Sequence, residues 1–167
     1  MIIAIIQARM GSTRLPGKVL KEVNRKPLLA YQLERVQKAK LLDKIVVATS
    51  VLDQDNVIVN FCNQNYIECF RGSEDDVLLR YYECAKHYKA DDVVRLTADC
   101  PLSHPNLIDD LILLFKENKV DYAAVTVPEK TCKFPVGSDA EIFTMIALEK
   151  THLECTDLYD REHVTLD

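Results

Sequence analysis

An open, mostly parallel β-sheet between two layers of helices is the fold this sequence predicts. Three observations predict it. Short β-branched runs alternate with longer segments of helical period along the whole chain. The first run, Ile2 to Ile6, is apolar without a break, as a strand covered on both faces is. The βαβαβαβ punctuation continues without a linker, an internal repeat or a charge block. The result is a three-layer α/β/α domain of 167 residues.

The elements follow in order. Residues 7–18 are a polar, glycine-containing segment after the first strand. Residues 28–39 carry Leu29, Leu33 and Val36 on one helical face. Ile45 to Ala48 is a second strand, ended by Thr49 and Ser50, and 54–63 is a short helix. Tyr66 to Phe70 is a third strand. Residues 74–89 form the clearest helix, with Val77, Tyr81, Ala85 and Tyr88 on one stripe. Ser73 and Asp76 stand in the relation of an acidic capping box at its start. Asp92 to Thr97 is a fourth strand. Pro105 introduces a helix over 106–118 with Leu107, Leu111, Leu114 and Phe115 inward. Asp121 to Thr126 is a fifth strand, 127–138 a loop, Ala140 to Phe143 a sixth strand and 144–152 a helix. The chain then closes on REHVTLD without a terminal helix.

Composition narrows the function classes. Hydrophobic residues make up 48% and charged residues 28%, which excludes collagen-like, disordered and low-complexity chains. The net charge of −5 argues against a general nucleic-acid binder. The opening apolar run is too short for a signal h-region or a membrane span. Six cysteines without a CxxC pair read as reduced thiols of a cytoplasmic protein. No HxxxH, HExxH or GxSxG is present, so structural zinc and hydrolase triads have no support.

Ligands of open α/β sheets bind beyond the carboxyl ends of the strands, where segments 7–18, 49–53 and 98–105 lie, and three stretches carry candidate chemistry. The first, QARMGSTRLPGK, sets Arg9, Arg14 and Lys18 beside Gly11, Ser12 and Gly17. Glycines let the backbone approach, Arg donates as a fork and Lys adds a mobile charge, a combination suited to a polyphosphate. It is neither a P-loop nor a GxGxxG fingerprint. The plainer reading is a solvated loop with scattered basic residues. In the second segment, Asp99 follows an apolar strand, where a carboxylate needs a partner or a metal. One carboxylate with substrate phosphates is an ordinary Mg²⁺ site; the alternative is a turn cap. In the third, Gly72 fits a tight turn or close approach of a base, and Asp75 and Asp76 suit a first helical turn. Cys100 reads as a small buried filler.

These segments resemble a known family. IIQARMGSTRLPGKVL is closely similar to the opening of cytidylyltransferases of the spore-coat polysaccharide and acylneuraminate type. VVATS at 46–50, FRGSEDDVLLRYYECAK at 70–86, VVRLTADCPL at 93–102, GSDAEIF at 137–143 and REHVT at 161–165 follow in order and extend the resemblance over nearly the whole chain. Ala98 and His104 depart from the family's usual Gly and Asp. The resemblance implies a Rossmann-like nucleotide-diphospho-sugar transferase fold. It also implies a single nucleotidyltransferase domain over 1–167 that lacks the family's C-terminal segment.

The activity it implies is transfer of CMP from CTP to a sugar acid or a sugar or polyol phosphate, with release of pyrophosphate, for surface polysaccharide synthesis. By motif position, Arg9, Gly11, Ser12, Arg14 and Lys18 would hold the triphosphate and Asp99 would hold Mg²⁺. Ala8, Thr49, Ser50 and Gly72 would face the base and ribose. Asp139, Glu141, Arg161, Glu162 and His163 would lie on the acceptor side. Arg14, Lys18 and Asp99 would carry the chemistry, an in-line attack of an acceptor oxygen on the α-phosphorus. The implied partners are CTP and a sugar-type acceptor, with no nucleic acid or membrane, and relatives suggest a homodimer. A nucleotidyltransferase for another NTP and a non-catalytic nucleotide-binding or assembly protein are the alternatives.

Overall fold

The computed structural model describes residues 1–12, 15–125, 134–135 and 137–164. Strand β1 (Ile2–Gln7) lies inside a six-stranded sheet. It pairs in parallel with β4 (Lys44–Ser50) on one side and β6 (Asp92–Thr97) on the other, so Ile5 stands between Val46 and Arg95. Beyond β4 lies β5 (Glu68–Gly72), also parallel. Beyond β6 come β8 (Glu141–Thr144) and then β7 (Tyr122–Ala124). β8 runs antiparallel to both of its neighbours, which makes the sheet mixed on that side.

Alternation along β1 builds two cores. Ala4 and Ile6 face helices α1 (Leu28–Val36), α2 (Asn56–Gln64) and α4 (Pro105–Asn118). Ile3 and Ile5 face α3 (Val77–His87) and α5 (Met145–Glu154). The expected three layers are present. The chain steps from β1 to β4 and β5, then crosses back over β1 to β6. The loops leaving β1 and β6 therefore diverge, which opens a crevice at their carboxyl ends.

Several expectations are corrected. The capping function expected at Ser73 falls to Asp76, whose carboxylate accepts from Leu79 N at 2.8 Å. Ser73 Oγ accepts from Asp76 N one turn earlier, at 3.1 Å, so the helix starts at Val77 rather than 74. In α4 the buried stripe is Ile108, Leu111, Ile112 and Phe115. Leu114 is more than half exposed, because its position falls outside that i, i+3, i+4, i+7 set. A sixth helix, α6 (Leu158–His163), stands where none was expected. Asp157 caps it, accepting from Tyr159 N at 2.8 Å and Asp160 N at 3.4 Å. A hairpin of β2 (Glu22–Val23) and β3 (Lys26–Pro27) was also unexpected. Its turn puts Asn24 and Arg25 at positive φ, as a two-residue hairpin loop of type I′ requires. Most of the expected 127–138 loop lies outside the described residues, as do Thr126, Arg14 and Thr165.

Candidate active site

The described part of the loop leaving β1 is organised around one residue. Ala8 N donates to Ala48 O and Ala98 N to Gln7 O, both at 3.0 Å, which extends the pairing past the strand ends. Met10 O then accepts from Ser12 N at 2.9 Å and Gly17 N at 3.0 Å. Gly17 adopts φ 69°, a left-handed conformation that glycine takes at no steric cost. The 3₁₀ turn Lys18–Leu20 follows, anchored by buried Val19. The loop thus doubles back on itself and returns Lys18 to the mouth of β6.

There Lys18 Nζ donates to Asp99 Oδ2 at 2.8 Å. Burial raises the Asp99 pKa, but hydrogen bonds from Lys18 and Thr97 outweigh it and hold the carboxyl below its ordinary range. The turn carrying Asp99 is braced from α1. Gln32 Nε2 donates to Thr97 O at 2.8 Å, and Arg35 Nε to Ser103 O at 2.9 Å. Cys100 is buried, with Sγ 3.4 Å from Thr97 Oγ1, and burial pushes its thiol pKa up.

A cavity of about 300 Å³ opens at this point, lined among others by Gln7, Arg9, Ser12, Lys18, Asp99 and Glu162. Arg9 spans its rim, donating to Glu162 Oε1 at 3.1 Å and lying 3.7 Å from Glu74 Oε1. The two described cations of the loop thus rest on carboxylates. Asp99 offers the oxygen donors a hard divalent ion takes, and an ammonium already lies against it. It therefore fits an ion that draws its other ligands from phosphate and water. Among the described residues, no group of three or more His, Cys, Asp and Glu is placed to hold a metal.

The other candidates are distributed differently. Thr49 and Ser50 are buried at the end of β4, and Gly72 ends β5. Thr49 Oγ1 has no hydrogen-bond partner among the described residues. A Cβ on Gly72 would lie 3.0 Å from Arg80 Cγ, so glycine there makes room for a buried arginine. A Cβ on Gly11 would meet Gln54 Nε2 and Glu74 Oε1, both at 3.2 Å. Asp139 Oδ2 approaches Cys100 Sγ at 3.8 Å. Glu141 pairs with Arg95 across β8 and β6 at 2.8 Å. Arg161 donates through Nε and Nη2 to Asp76 Oδ2, at 2.9 and 2.8 Å, and also reaches the carbonyls of His152 and Cys155. His163 packs on the Tyr159 ring, 4.4 Å between centroids.

The structure adds residues that the motifs do not single out. Gln7 reaches the cavity from the last position of β1. Asp55 is fully buried and joins the β1 loop to the end of β4. Its only sequence signal is an acidic residue just beyond a strand.

A cationic loop facing a carboxylate where the sheet reverses its strand order sets this chain among the α/β proteins whose ligand site lies at the carboxyl ends of the strands. The chain matches the cytidylyltransferase family over residues 3–166 and belongs to that family. It is 44% identical over 164 residues to an uncharacterized protein of Methanocaldococcus jannaschii, covering 98% of this chain and 65% of the relative. It is 36% identical over 172 residues to the spore coat polysaccharide biosynthesis protein SpsF of Bacillus subtilis, covering 99% of this chain and 72% of SpsF. A solved cytidylyltransferase from Leptospira borgpetersenii superposes with a TM-score of 0.92 at 36% identity, covering 99% of this chain and 69% of that one. The chain therefore spans roughly two thirds of the length of these proteins. No helix among the described residues is long and apolar enough to cross a membrane.

Proposed function

We propose that this chain is the nucleotidyltransferase domain of a cytoplasmic cytidylyltransferase, which moves CMP from CTP to a sugar-type acceptor of surface polysaccharide synthesis and releases pyrophosphate. The observation that carries this reading is the Lys18–Asp99 contact at the crevice, with Arg9 and Ser12 on the same cavity wall. Arg9, Lys18 and the Ser12 hydroxyl would take the phosphate oxygens, and Arg14 belongs to the same loop. Ala8, Gly11, Thr49, Ser50 and Gly72 would border the nucleoside.

An acceptor oxygen attacks the α-phosphorus as the bond to the β-phosphate oxygen breaks, and pyrophosphate departs with the bonding pair. Lys18, brought to the crevice by the turn of its loop, would offset charge on the leaving group once its ammonium passes from Asp99 to the phosphates. Asp99 would hold Mg²⁺, which when bound supplies charge neutralisation at the phosphates. Glu162, which lines the cavity, and Asp139, beside Cys100, would lie on the acceptor side; Glu141, Arg161 and His163 would then support that side from outside the cavity.

Titration calorimetry with CTP and UTP in Mg²⁺ tests the base assignment. Tighter binding of CTP is expected, and equal or absent binding of both refutes it. Pyrophosphate release across a panel of sugar acids and sugar phosphates tests the transfer. CTP binding without release on any acceptor would favour a nucleotide-binding role. Lys18→Ala should lower turnover by about 10²–10³ with the fold unchanged.

A further inference from the structure

Asp55 presents a physical puzzle. It is fully buried, yet no cation pairs with its carboxylate among the described residues. Such a charge is costly unless hydrogen bonds satisfy it. Three do. Oδ2 accepts from Ser50 N at 3.2 Å and from Ser50 Oγ at 2.5 Å. Oδ1 accepts from Met10 N at 2.8 Å, across 45 residues of sequence. The first two bonds close a local turn after β4. The third reaches the loop after β1, and it meets that loop at its organising residue, since Met10 O already gathers Ser12 N and Gly17 N. The adjoining Gln54 side chain lies against Gly11.

From this chain of contacts we propose that Asp55 is a positioning residue for the phosphate-binding loop. It grips Met10 N and so sets where Ser12 and Lys18 stand; it touches no substrate itself. The proposal rests on the reading of this loop as a triphosphate site. A carboxylate suits the task because its two oxygens accept from both loops at once, which an amide cannot do. In Asp55→Asn the single carbonyl oxygen keeps the two Ser50 donors, and the NH₂ group turns against the Met10 N–H. The loop is unhooked while the β4 turn survives.

The test compares Asp55→Asn with Asp109→Asn in the full chain. Asp109 makes a similar brace far from the cavity, accepting from Lys40 N at 2.9 Å and Leu41 N at 3.0 Å. Calorimetry with CTP and Mg²⁺ should show affinity about tenfold weaker in Asp55→Asn, the scale of one lost hydrogen bond to a charged group, and unchanged in Asp109→Asn. Amide exchange at 10–12 should accelerate only in Asp55→Asn, with β1 and β4 still protected. Wild-type CTP affinity in folded Asp55→Asn, or equal losses in both variants, overturns the proposal. If the wild-type protein binds no CTP, the proposed function fails, and the exchange measurement still decides whether Asp55 holds the loop. If Asp55→Asn does not fold, the wild-type Met10 amide decides. Protection comparable to β1 is expected there, and free exchange overturns the proposal.

Discussion

Gly17 stands at φ 69°, where a Cβ would lie 3.0 Å from Met10 Cε. Gly17→Ala would meet both the left-handed backbone penalty and that contact. Stability should fall by about 1–2 kcal/mol, read as a shift of the urea midpoint at constant m. CTP affinity should fall with it, because relieving that strain shifts the residue-17 N–H that holds the loop on Met10 O; a lowered midpoint with unaltered affinity would separate the turn from the site. Arg9, Lys18 and Asp99 were legible as candidates because their residue types stand out beside strand ends. Asp55 was not, since its importance lies in a bond to a backbone N–H 45 residues away, which no local pattern records. Arg161 shows the same limit from the other side. Its motif marks it, while the structure spends its guanidinium on Asp76 and two carbonyls.

At the scale of elements, that guanidinium ties α6 to the start of α3. Arg161 and Asp76 are mostly buried, with side-chain exposures of 14% and 28%. Arg161→Ala leaves the Asp76 carboxylate without its cation and frees two carbonyls. A loss of about 2 kcal/mol is expected, with exchange rising first in 158–164; an unchanged urea midpoint would mean that α6 is held by packing alone. Because α6 brings Glu162 to Arg9, the same variant should weaken that contact without touching Lys18. The long helices and central strands were legible because their apolar period is strong. Six-residue α6 was not, because it buries no residue of its own and depends on the Asp157 cap and the Arg161 tie. The β2–β3 turn was hidden for a related reason: Asn24 and Arg25 carry no glycine to signal positive φ.

At the scale of the whole molecule, the alternation of elements predicted the mostly parallel sheet but not which strand reverses; β8 does so, because strand direction is set by pairing partners rather than by period. The parallel side ends at β5, whose outer edge needs charge to stay soluble and unpaired. Glu68 supplies it, accepting from Lys44 Nζ at 2.9 Å and from Tyr88 OH at 3.3 Å. The Lys44 hydrogen bond and charge hold the Glu68 carboxyl below its ordinary range. Burial, then the Glu68 charge, pushes the Tyr88 phenol up to about 12. A depressed carboxyl stabilises the fold above its unfolded value of about 4.3, and that contribution is lost as pH falls through the folded value. A raised phenol contributes fully below about 10 and loses its contribution as pH climbs toward its folded value. Folding stability from this edge should thus be flat near neutrality and fall on both sides. Urea midpoints of wild type and Glu68→Gln, taken across pH, provide the check. Their difference should hold steady between about pH 6 and 9 and close as pH drops below about 4. A difference that persists in acid would assign the role of Glu68 to packing over Tyr88 rather than to its charge.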